Sequence, residues 1–226
     1  DPTGPCLAAV DTVIITVLPT PIIDSISNLE VCNNDEVGPI VFTGTDTTAY
    51  AWVNSNPAIG LAAAGSGAIS FTAINLGTSP ITATITVTPI NSSLGANCSG
   101  ISKSFTILVN PSAKVNPISD LFLCDGEVAP VITFSTTNTV GTTTYSWTNS
   151  NNTIGFGDSG TGSIPSFTAN NPTNAPITST ITVTPSYTNN GVTCDGLPIT
   201  FYITVNPPAQ VEAISNDVVC HTQQVT

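Results

Sequence analysis

The amino-acid sequence predicts an all-β protein made of tandem β-sandwich repeats, and three observations support that fold class. The same blocks of residues return in the same order, short runs alternate apolar and polar residues, and clusters of Gly, Asn and Asp separate these runs. No segment combines a helical apolar period with capping residues. We therefore expect strands throughout and no functional helix.

Two blocks define the repeat most clearly. Residues 26–32 (ISNLEVC) return as residues 118–124 (ISDLFLC) and again as residues 214–220 (ISNDVVC). Residues 50–56 (YAWVNSN) return as residues 145–151 (YSWTNSN). Because the order of blocks is the same in each copy, the chain is expected to hold two whole repeats between two partial ones.

The expected boundaries fall at the proline-containing segments that follow each closing strand. They divide the chain into residues 1–19, the last strand of a preceding repeat; 20–111, repeat 1; 112–207, repeat 2; and 208–226, the first strand of a following repeat. The chain reads as a mature internal fragment. Any secretion signal or anchor is therefore expected outside it.

The closing strand of each repeat shows the strand pattern most clearly. Phe105, Ile107 and Val109 lie at every second position, with Ser104 and Thr106 on either side of the first of them, and Phe201, Ile203 and Val205 are the equivalents in repeat 2. One face of each strand is expected to pack inward while the other presents threonine and serine to water. Short strands of this kind with regular turn signals describe an immunoglobulin-like sandwich.

Each repeat carries one tryptophan, which is a candidate for the buried tryptophan of such a sandwich. The predicted core residues are Trp52, Phe42 and Phe105 in repeat 1, and Trp147, Phe134 and Phe201 in repeat 2. A sugar-stacking platform is the alternative role for the two tryptophans. The core role is favoured because one tryptophan per repeat, flanked by a strand pattern, is what a sandwich core needs.

The charge of the chain argues against several classes of partner. Lys103 and Lys114 are the only basic side chains against 14 acids, which gives a formal net charge of −12. Nucleic acids and anionic membrane surfaces both require clustered Lys or Arg. No apolar run approaches the length of a spanning helix, so direct membrane insertion is not expected either.

The sequence offers little for catalysis, and we expect no enzyme and no cofactor. His221 is the only histidine and lies in a partial repeat, so neither full repeat can use an imidazole base. The residues 62–67, rich in Ala and Gly, lack the lysine of a phosphate-binding loop and are expected to form a hairpin connection.

Acidic residues follow two of the cysteines and raise a separate hypothesis. Asp35 and Glu36, and likewise Asp125 and Glu127, lie in predicted turns where exposed carboxylates are common. They are weak candidates for a calcium site, since each cluster supplies only two carboxylates. A catalytic carboxylate pair is favoured even less.

Six cysteines recur at regular intervals and never as Cys-x-x-Cys, which favours disulfides in an oxidising compartment over zinc. Three pairing schemes are open. Pairing within repeats joins Cys32 to Cys98 and Cys124 to Cys194; pairing across linkers joins Cys6 to Cys32, Cys98 to Cys124 and Cys194 to Cys220; a junction staple joins Cys32 to Cys194. Strand-end geometry favours the staple over pairing within repeats, modularity favours the reverse, and pairing across linkers is the least favoured.

The blocks together resemble a known family. Cys-Asp-Gly-Glu at 124–127, Tyr-x-Trp-x-Asn-Ser-Asn, Pro-Ile-Thr-x-Thr-Ile-Thr-Val-Thr-Pro and Phe-x-Ile-x-Val-Asn-Pro are similar to motifs of the PKD-like, immunoglobulin-like repeats of large cell-surface adhesins in gliding Bacteroidota. The resemblance implies a secreted, surface-anchored protein exported by the type IX system. It supplies no catalytic residues, and the turn after Cys32 departs from Asp-Gly-Glu, so no ligand role passes to that turn.

The leading functional hypothesis is a structural stalk segment of a surface adhesin involved in adhesion or gliding, whose partners are neighbouring repeats. One alternative is a carbohydrate-binding module that recognises surface polysaccharide through exposed aromatics, for which Tyr187 and Phe156 are the candidates. Another is a filament subunit assembled by strand exchange. Thr12, Ser25 and Thr47 follow aspartates in a pattern that Bacteroidota use for O-glycosylation, and glycans would suit a secreted stalk.

Overall fold

A computed structural model describes residues 11–211 of the chain. These residues form two compact units, the first from residues 11–112 with 189–194 and the second from residues 113–188 with 195–211. Cys6, Cys220 and His221 lie outside the described residues, as do parts of the predicted partial repeats 1–19 and 208–226. The assignment of those partial repeats stays a prediction.

Residues 11–112, the larger part of the first unit, form ten strands and two short 3-10 helices. The strands are β1 (Ile22–Ile23), β2 (Leu29–Cys32), β3 (Glu36–Ile40), β4 (Gly44–Thr45), β5 (Ala49–Asn54), β6 (Ala64–Ser66), β7 (Ile69–Thr72), β8 (Ile81–Asn91), β9 (Cys98–Ser99) and β10 (Lys103–Asn110). The 3-10 helices are Pro57–Ile59 and Ser93–Gly95.

The second part of the chain repeats this plan. Its strands are β11 (Leu121–Cys124), β12 (Val128–Ala129), β13 (Thr142–Asn149), β14 (Ser159–Thr161), β15 (Phe167–Thr168), β16 (Ile177–Asn189), β17 (Val192–Asp195) and β18 (Ile199–Asn206), with a 3-10 helix at Asn152–Ile154. The predicted all-β, immunoglobulin-like fold class is confirmed, since strands are the main regular structure of residues 11–211 and the helices among them are three 3-10 helices of three residues each.

The sheets of the two repeats share one topology. The main sheet of the first repeat has the strand order β2-β10-β8-β5-β6, and that of the second has the order β11-β18-β16-β13-β14. Strand β3 pairs with β7 in a smaller sheet, as β12 pairs with β15. All these neighbours are antiparallel except β2 with β10 and β11 with β18, which are parallel. The first main-sheet strand of each repeat therefore ends at the same end of the sheet as the last.

The core of the first repeat follows from period-two alternation. Ile85 of β8 lies opposite Phe105 of β10, and Ala83 lies opposite Ile107. All four side chains are buried. Threonines at the alternate positions of β8 face outward, and two of them share hydrogen bonds with serine hydroxyls: Thr86 with Ser104 of β10, and Thr88 with Ser102 just before β10. Each fully buried Ile contributes about 1.5–3 kcal/mol through the hydrophobic effect.

The predicted core aromatics lie in or against these cores. Trp52, Phe42 and Phe105 belong to the first, and Trp147 and Phe201 to the second. Phe134 differs, because it is only half-buried at the rim of the second core and contacts Tyr145 at a centroid distance of 5.5 Å. Partial burial raises the pKa of Tyr145 above its ordinary value.

Residues 11–20 form no strand, although their sequence predicts one. Val13, Ile14 and Ile15 are 79%, 86% and 82% exposed. A strand requires a hydrogen-bonded neighbour, and no described residue pairs with this segment. Its apolar side chains are consequently left in water.

We expect Ile107→Ala to destabilise the first unit by about 2–5 kcal/mol, because it leaves a cavity between the two sheets. Urea unfolding monitored by fluorescence in a Trp147→Phe background reports on Trp52 alone. The matched control is Val53→Ala, whose side chain is 55% exposed on β5. A comparable loss of stability in both variants would contradict the core assignment.

Candidate functional site: the Cys32–Cys194 cross-link

The site begins where β2 ends. Parallel pairing places Cys32 beside Asn110, the last residue of β10. The turn that follows is closed by Asp35, whose carboxylate accepts a hydrogen bond of 2.8 Å from the Cys32 backbone N–H. Asn34 has a left-handed φ of 71°, a conformation that asparagine tolerates better than most residues. The turn therefore holds the Cys32 side chain at a fixed position on the sheet edge.

A disulfide joins Cys32 to Cys194, at a Cα–Cα distance of 5.5 Å and a sequence separation of 162 residues. Cys194 lies in β17, which forms a hairpin with β16 of the second repeat. Residues 189–194 of this hairpin nevertheless pack as part of the first unit. This bond is the junction staple among the three predicted schemes. Cys98 and Cys124 are free thiols.

Pairing within a repeat, from Cys32 to Cys98, is therefore wrong, and the geometry of β8 explains why. The first residue of β8, Ile81, lies opposite Val109 near Cys32, and the last, Asn91, lies opposite Cys98. The 11 residues of β8 at about 3.3 Å each separate these ends by roughly 33 Å. A disulfide requires Cα atoms within about 7 Å.

The other predicted pairs are excluded by the Cys32–Cys194 bond or by the two free thiols. Cys124–Cys194 is excluded because Cys194 is bonded to Cys32, Cys6–Cys32 and Cys194–Cys220 are excluded for the same reason, and Cys98–Cys124 is excluded because both thiols are free.

Amide side chains surround the disulfide in the first unit. Asn189 donates from Nδ2 to Glu30 Oε1 at 3.2 Å and to Asn110 Oδ1 at 3.0 Å, and Asn190 donates to Glu30 Oε2 at 3.2 Å. Asn110, fully buried, donates to Glu30 Oε1 at 2.8 Å. The Glu30 carboxylate thus receives three amide donors, and hydrogen bonds to an ionised acceptor are stronger than neutral ones.

Sequence reasoning identified Cys32 and Cys194 but missed Glu30, Asn110, Asn189 and Asn190. We define the cross-link site as these six residues. The signal that could have found Asn110 is its position directly before Pro111, repeated as Asn206 before Pro207. Glu30 carried no such signal, because the equivalent position of the second repeat is Phe122.

The acidic turn residues serve the fold in both repeats. Glu127 accepts a hydrogen bond of 2.8 Å from the Cys124 N–H, as Asp35 does from Cys32. Asp125 Oδ1 accepts one of 2.7 Å from the Asn171 N–H. Glu36 accepts one of 2.8 Å from the Thr72 hydroxyl. Within residues 11–211, no three His, Cys, Asp or Glu side chains are grouped where they could hold a metal ion.

Buried asparagines tie each of these turns to the closing strand. Asn171 donates from Nδ2 to Val205 O at 2.7 Å and to Ala175 O at 2.9 Å. Its counterpart Asn75 donates to the corresponding carbonyls of the first repeat, and its N–H donates to Asn33 Oδ1 at 2.7 Å. Asn33 and Asp125 therefore accept the equivalent backbone hydrogen bond in the two repeats. This explains why one repeat has an asparagine at this position and the other an aspartate.

The Tyr-x-Trp-x-Asn-Ser-Asn block has a similar explanation. Asn54 donates from Nδ2 to Leu61 O at 2.9 Å and accepts from the Asn56 N–H at 3.0 Å, so it fixes the turn after β5. Gly65 lies directly on the Trp52 ring, where any Cβ would overlap it, as Gly160 lies on Trp147. The run 62–67, predicted to be a hairpin connection, is therefore half strand, since residues 64–66 form β6 and pair with β5.

The two aromatics proposed to bind sugars lie in different places. Tyr187 is fully buried, donates its hydroxyl to Thr139 O at 3.0 Å and accepts from the Gly141 N–H at 3.0 Å. The expectation of an exposed loop aromatic is wrong for Tyr187, since β16 extends to Asn189 and places it on the inward face. Phe156 does lie in a loop, but it is half-buried against the core and packs on Phe167 at a centroid distance of 4.5 Å.

The three candidate glycosylation hydroxyls differ in accessibility. Thr12 and Ser25 are exposed, whereas Thr47 is half-buried and donates to Ile22 O at 3.1 Å. In the part of the chain that the structure describes, no helix is long and apolar enough to cross a lipid bilayer.

We expect Asp125→Asn to leave stability almost unchanged and Asp125→Ala to cost about 1–3 kcal/mol, because only alanine leaves the Asn171 N–H without its acceptor. Thermal unfolding with calcium and with a chelator measures both variants. The structural role of Asp125 predicts equal stability of the unmodified chain under the two conditions. Stabilisation by calcium that disappears in Asp125→Asn would support the calcium hypothesis instead.

Comparisons with known proteins show distant likenesses only. No protein-family model matches the sequence, and no curated protein matches it. Among solved structures, mouse cadherin-23 EC22-24 is 13% identical with a TM-score of 0.37 over 83% of this chain, which spans 64% of that segment. Human mucin-like protocadherin EC1-2 is 10% identical with a TM-score of 0.37 over 83% of this chain and 97% of its own. Surface layer protein SbsC, domains 1-6, is 14% identical with a TM-score of 0.27 over 77% of this chain and 24% of its own.

Proposed function

We propose that this chain is a load-bearing structural segment of an extracellular surface protein, a non-catalytic part of a stalk built from repeats of this kind. The Cys32–Cys194 disulfide carries the proposal. In its finer form, the stalk is that of a secreted adhesin of the type found in gliding Bacteroidota, anchored at the outer membrane through regions outside this chain, as the sequence motifs imply.

The disulfide changes how the chain responds to a pull on its two ends. Tension that reaches Cys32 passes through the sulfur atoms to Cys194, so the intervening polypeptide carries none of it. The bond joins two residues that are 162 positions apart in sequence. A fully extended chain of that length spans roughly 530–580 Å. A segment protected in this way keeps its length under tension, which is the property that a stalk requires.

Two further features support an extracellular setting. Structural disulfides persist in oxidising compartments and are rare in the cytosol. The outward faces of the sheets carry hydroxyl pairs rather than ion pairs, for example Thr178 with Thr204 at 2.9 Å. With only two Lys or Arg residues, the chain also offers few cleavage sites to proteases that require a basic residue.

The positions of Tyr187 and Phe156 give little support to the carbohydrate-binding alternative. Tyr187 is buried, and Phe156 packs against Trp147 and Phe167. The strand-exchange alternative stays a prediction, and the exposed run around Val13 and Ile15 is the feature that keeps it open.

Single-molecule stretching of the 226-residue chain tests the load-bearing function. We expect full unfolding of the reduced chain to release roughly 530–580 Å more contour length than unfolding of the oxidised chain, because the sequestered residues become extensible. Cys32→Ser should behave as the reduced chain does, and Cys98→Ser is the matched control that should not.

Two outcomes would argue against the proposed function. If the oxidised chain extends as readily as an unfolded polypeptide, it bears no load. If the chain binds members of a glycan array, and an exposed aromatic substitution such as Tyr202→Ser removes that binding, the carbohydrate-binding module becomes the better assignment.

A further inference from the structure

The two free thiols occupy the same places in their repeats as the two bonded ones. Cys124 ends β11 opposite Asn206, as Cys32 ends β2 opposite Asn110. The N–H of Gly126 donates to Ala169 O at 2.8 Å, and that of its counterpart Asn34 donates to Ala73 O at 2.8 Å. The backbone thus presents Cys124 in the same frame that presents Cys32.

The other free thiol matches Cys194. Cys98 starts β9, which pairs with the end of β8, and Cys194 lies in β17, which pairs with β16. Two residues after each cysteine, a glycine N–H donates to a proline carbonyl, Gly100 to Pro89 at 2.9 Å and Gly196 to Pro185 at 3.0 Å. Cys98 is therefore the hairpin cysteine of its repeat.

The surface around Cys124 is uncovered where its counterpart is covered. In the first unit, residues 189–194 leave Asn110 fully buried and Glu30 and Cys32 half-buried. The equivalent residues of the second repeat, Asn206, Phe122 and Cys124, are all exposed, and Phe122 is 68% exposed.

The chemistry of the uncovered surface differs from that of the cross-link site. Glu30 receives the amides of Asn189 and Asn190, whereas the same position in the second repeat is an apolar ring. The hairpin that bears Cys98 carries at its tip Leu94, which is 80% exposed and lies in a left-handed conformation at φ 56°. Each free thiol therefore has an exposed apolar side chain close to it in sequence: Phe122 near Cys124, and Leu94 in the hairpin that bears Cys98.

We propose that Phe122, Cys124 and Asn206 form a docking surface for the hairpin 91–98 of a second copy of this chain, and that Cys124 forms a disulfide with Cys98 of that copy. The proposal rests on the proposed function as a repeat array and supplies its means of association. Because the two surfaces differ, the contact is head-to-tail and continues from copy to copy instead of closing on itself.

The reaction is a thiol–disulfide exchange with a small disulfide as oxidant, such as oxidised glutathione. The Cys124 thiolate attacks one glutathione sulfur, forms a mixed disulfide and releases one glutathione thiol. The thiolate of Cys98 in the second copy then attacks the Cys124 sulfur and releases the other glutathione. Two protein thiols are oxidised, one glutathione disulfide is reduced, and the two thiol protons pass to the two glutathione thiols.

The test uses the full chain with Cys6→Ser and Cys220→Ser, which removes the two cysteines outside the described residues. Equal amounts of ¹⁵N-labelled and unlabelled chain are mixed in a buffer of oxidised and reduced glutathione. Peptides are then mapped without reduction by mass spectrometry. We expect a Cys98–Cys124 peptide pair in which half of the molecules carry one labelled partner, together with an intact Cys32–Cys194 pair.

Substitution of the docking surface separates recognition from chance collision of thiols. Phe122→Glu, which introduces the residue found at the equivalent position of the first repeat, should lower the yield of the cross-linked pair at least about fivefold by removing the apolar contact. Val131→Glu, which adds the same charge at a position 54% exposed elsewhere on the second repeat, should leave the yield unchanged.

Three results would overturn the proposal. The first is a yield of the cross-linked pair that Phe122→Glu does not change. The second is a Cys98–Cys124 pair without mixed labelling, which would mean a bond within one chain. The third is glutathione adducts on both thiols with no cross-link. The stretching measurement is made on single chains and depends on Cys32 and Cys194. A negative result in the cross-linking test therefore does not contradict the load-bearing function. A negative result in the stretching measurement likewise does not contradict the docking surface.

Discussion

Parallel pairing of the first and last strands of each main sheet positions every feature of the cross-link site. Because β2 and β10 run in the same direction, Cys32 finishes beside Asn110 at one end of the sheet. The turn after Cys32 and the buried Asn75 meet at that same end, where Asn75 binds the carbonyl of Val109. An antiparallel first strand would have placed its cysteine at the other end of β10, away from this cluster. The disulfide is thus a consequence of strand direction as much as of cysteine spacing.

Amides and hydroxyls do in this chain what charges do in many others. With two basic residues against 14 acids, few carboxylates can find a cationic partner. Glu30 is instead held by asparagine amides, and Asp35 and Glu127 are held by backbone N–H groups. An asparagine side chain both donates and accepts, so one residue can close a turn and bind a strand carbonyl at once. Asn75 shows this double use, since it accepts from the Gly77 N–H and donates to Val109 O of β10.

The alternation of residues predicted the strands and most of the core, because burial on one face of a sheet imposes a period of two. The same rule, carried further along β16, would have placed Tyr187 inside, since it lies in step with the buried Ile181 and Val183. The residues that follow, Asn189, Asn190 and Gly191, are typical of a turn and instead suggested an exposed loop. The disulfide could not be chosen from sequence, because three schemes satisfied the spacing and the strand pairing that separates Cys32 from Cys98 is known only from the structure. The role of Glu30 could not be predicted for a different reason: two of its three amide donors come from a hairpin 159 and 160 residues away in sequence.

The hydroxyl pairs on the outer faces of the sheets have a consequence for the water in which the protein works. Interactions between exposed charges weaken as salt is added, because mobile ions screen them. The contacts of Thr86 with Ser104 and of Thr88 with Ser102 involve no net charge. These cross-strand contacts therefore depend little on ionic strength, and the sheets can keep them in dilute and in concentrated salt alike.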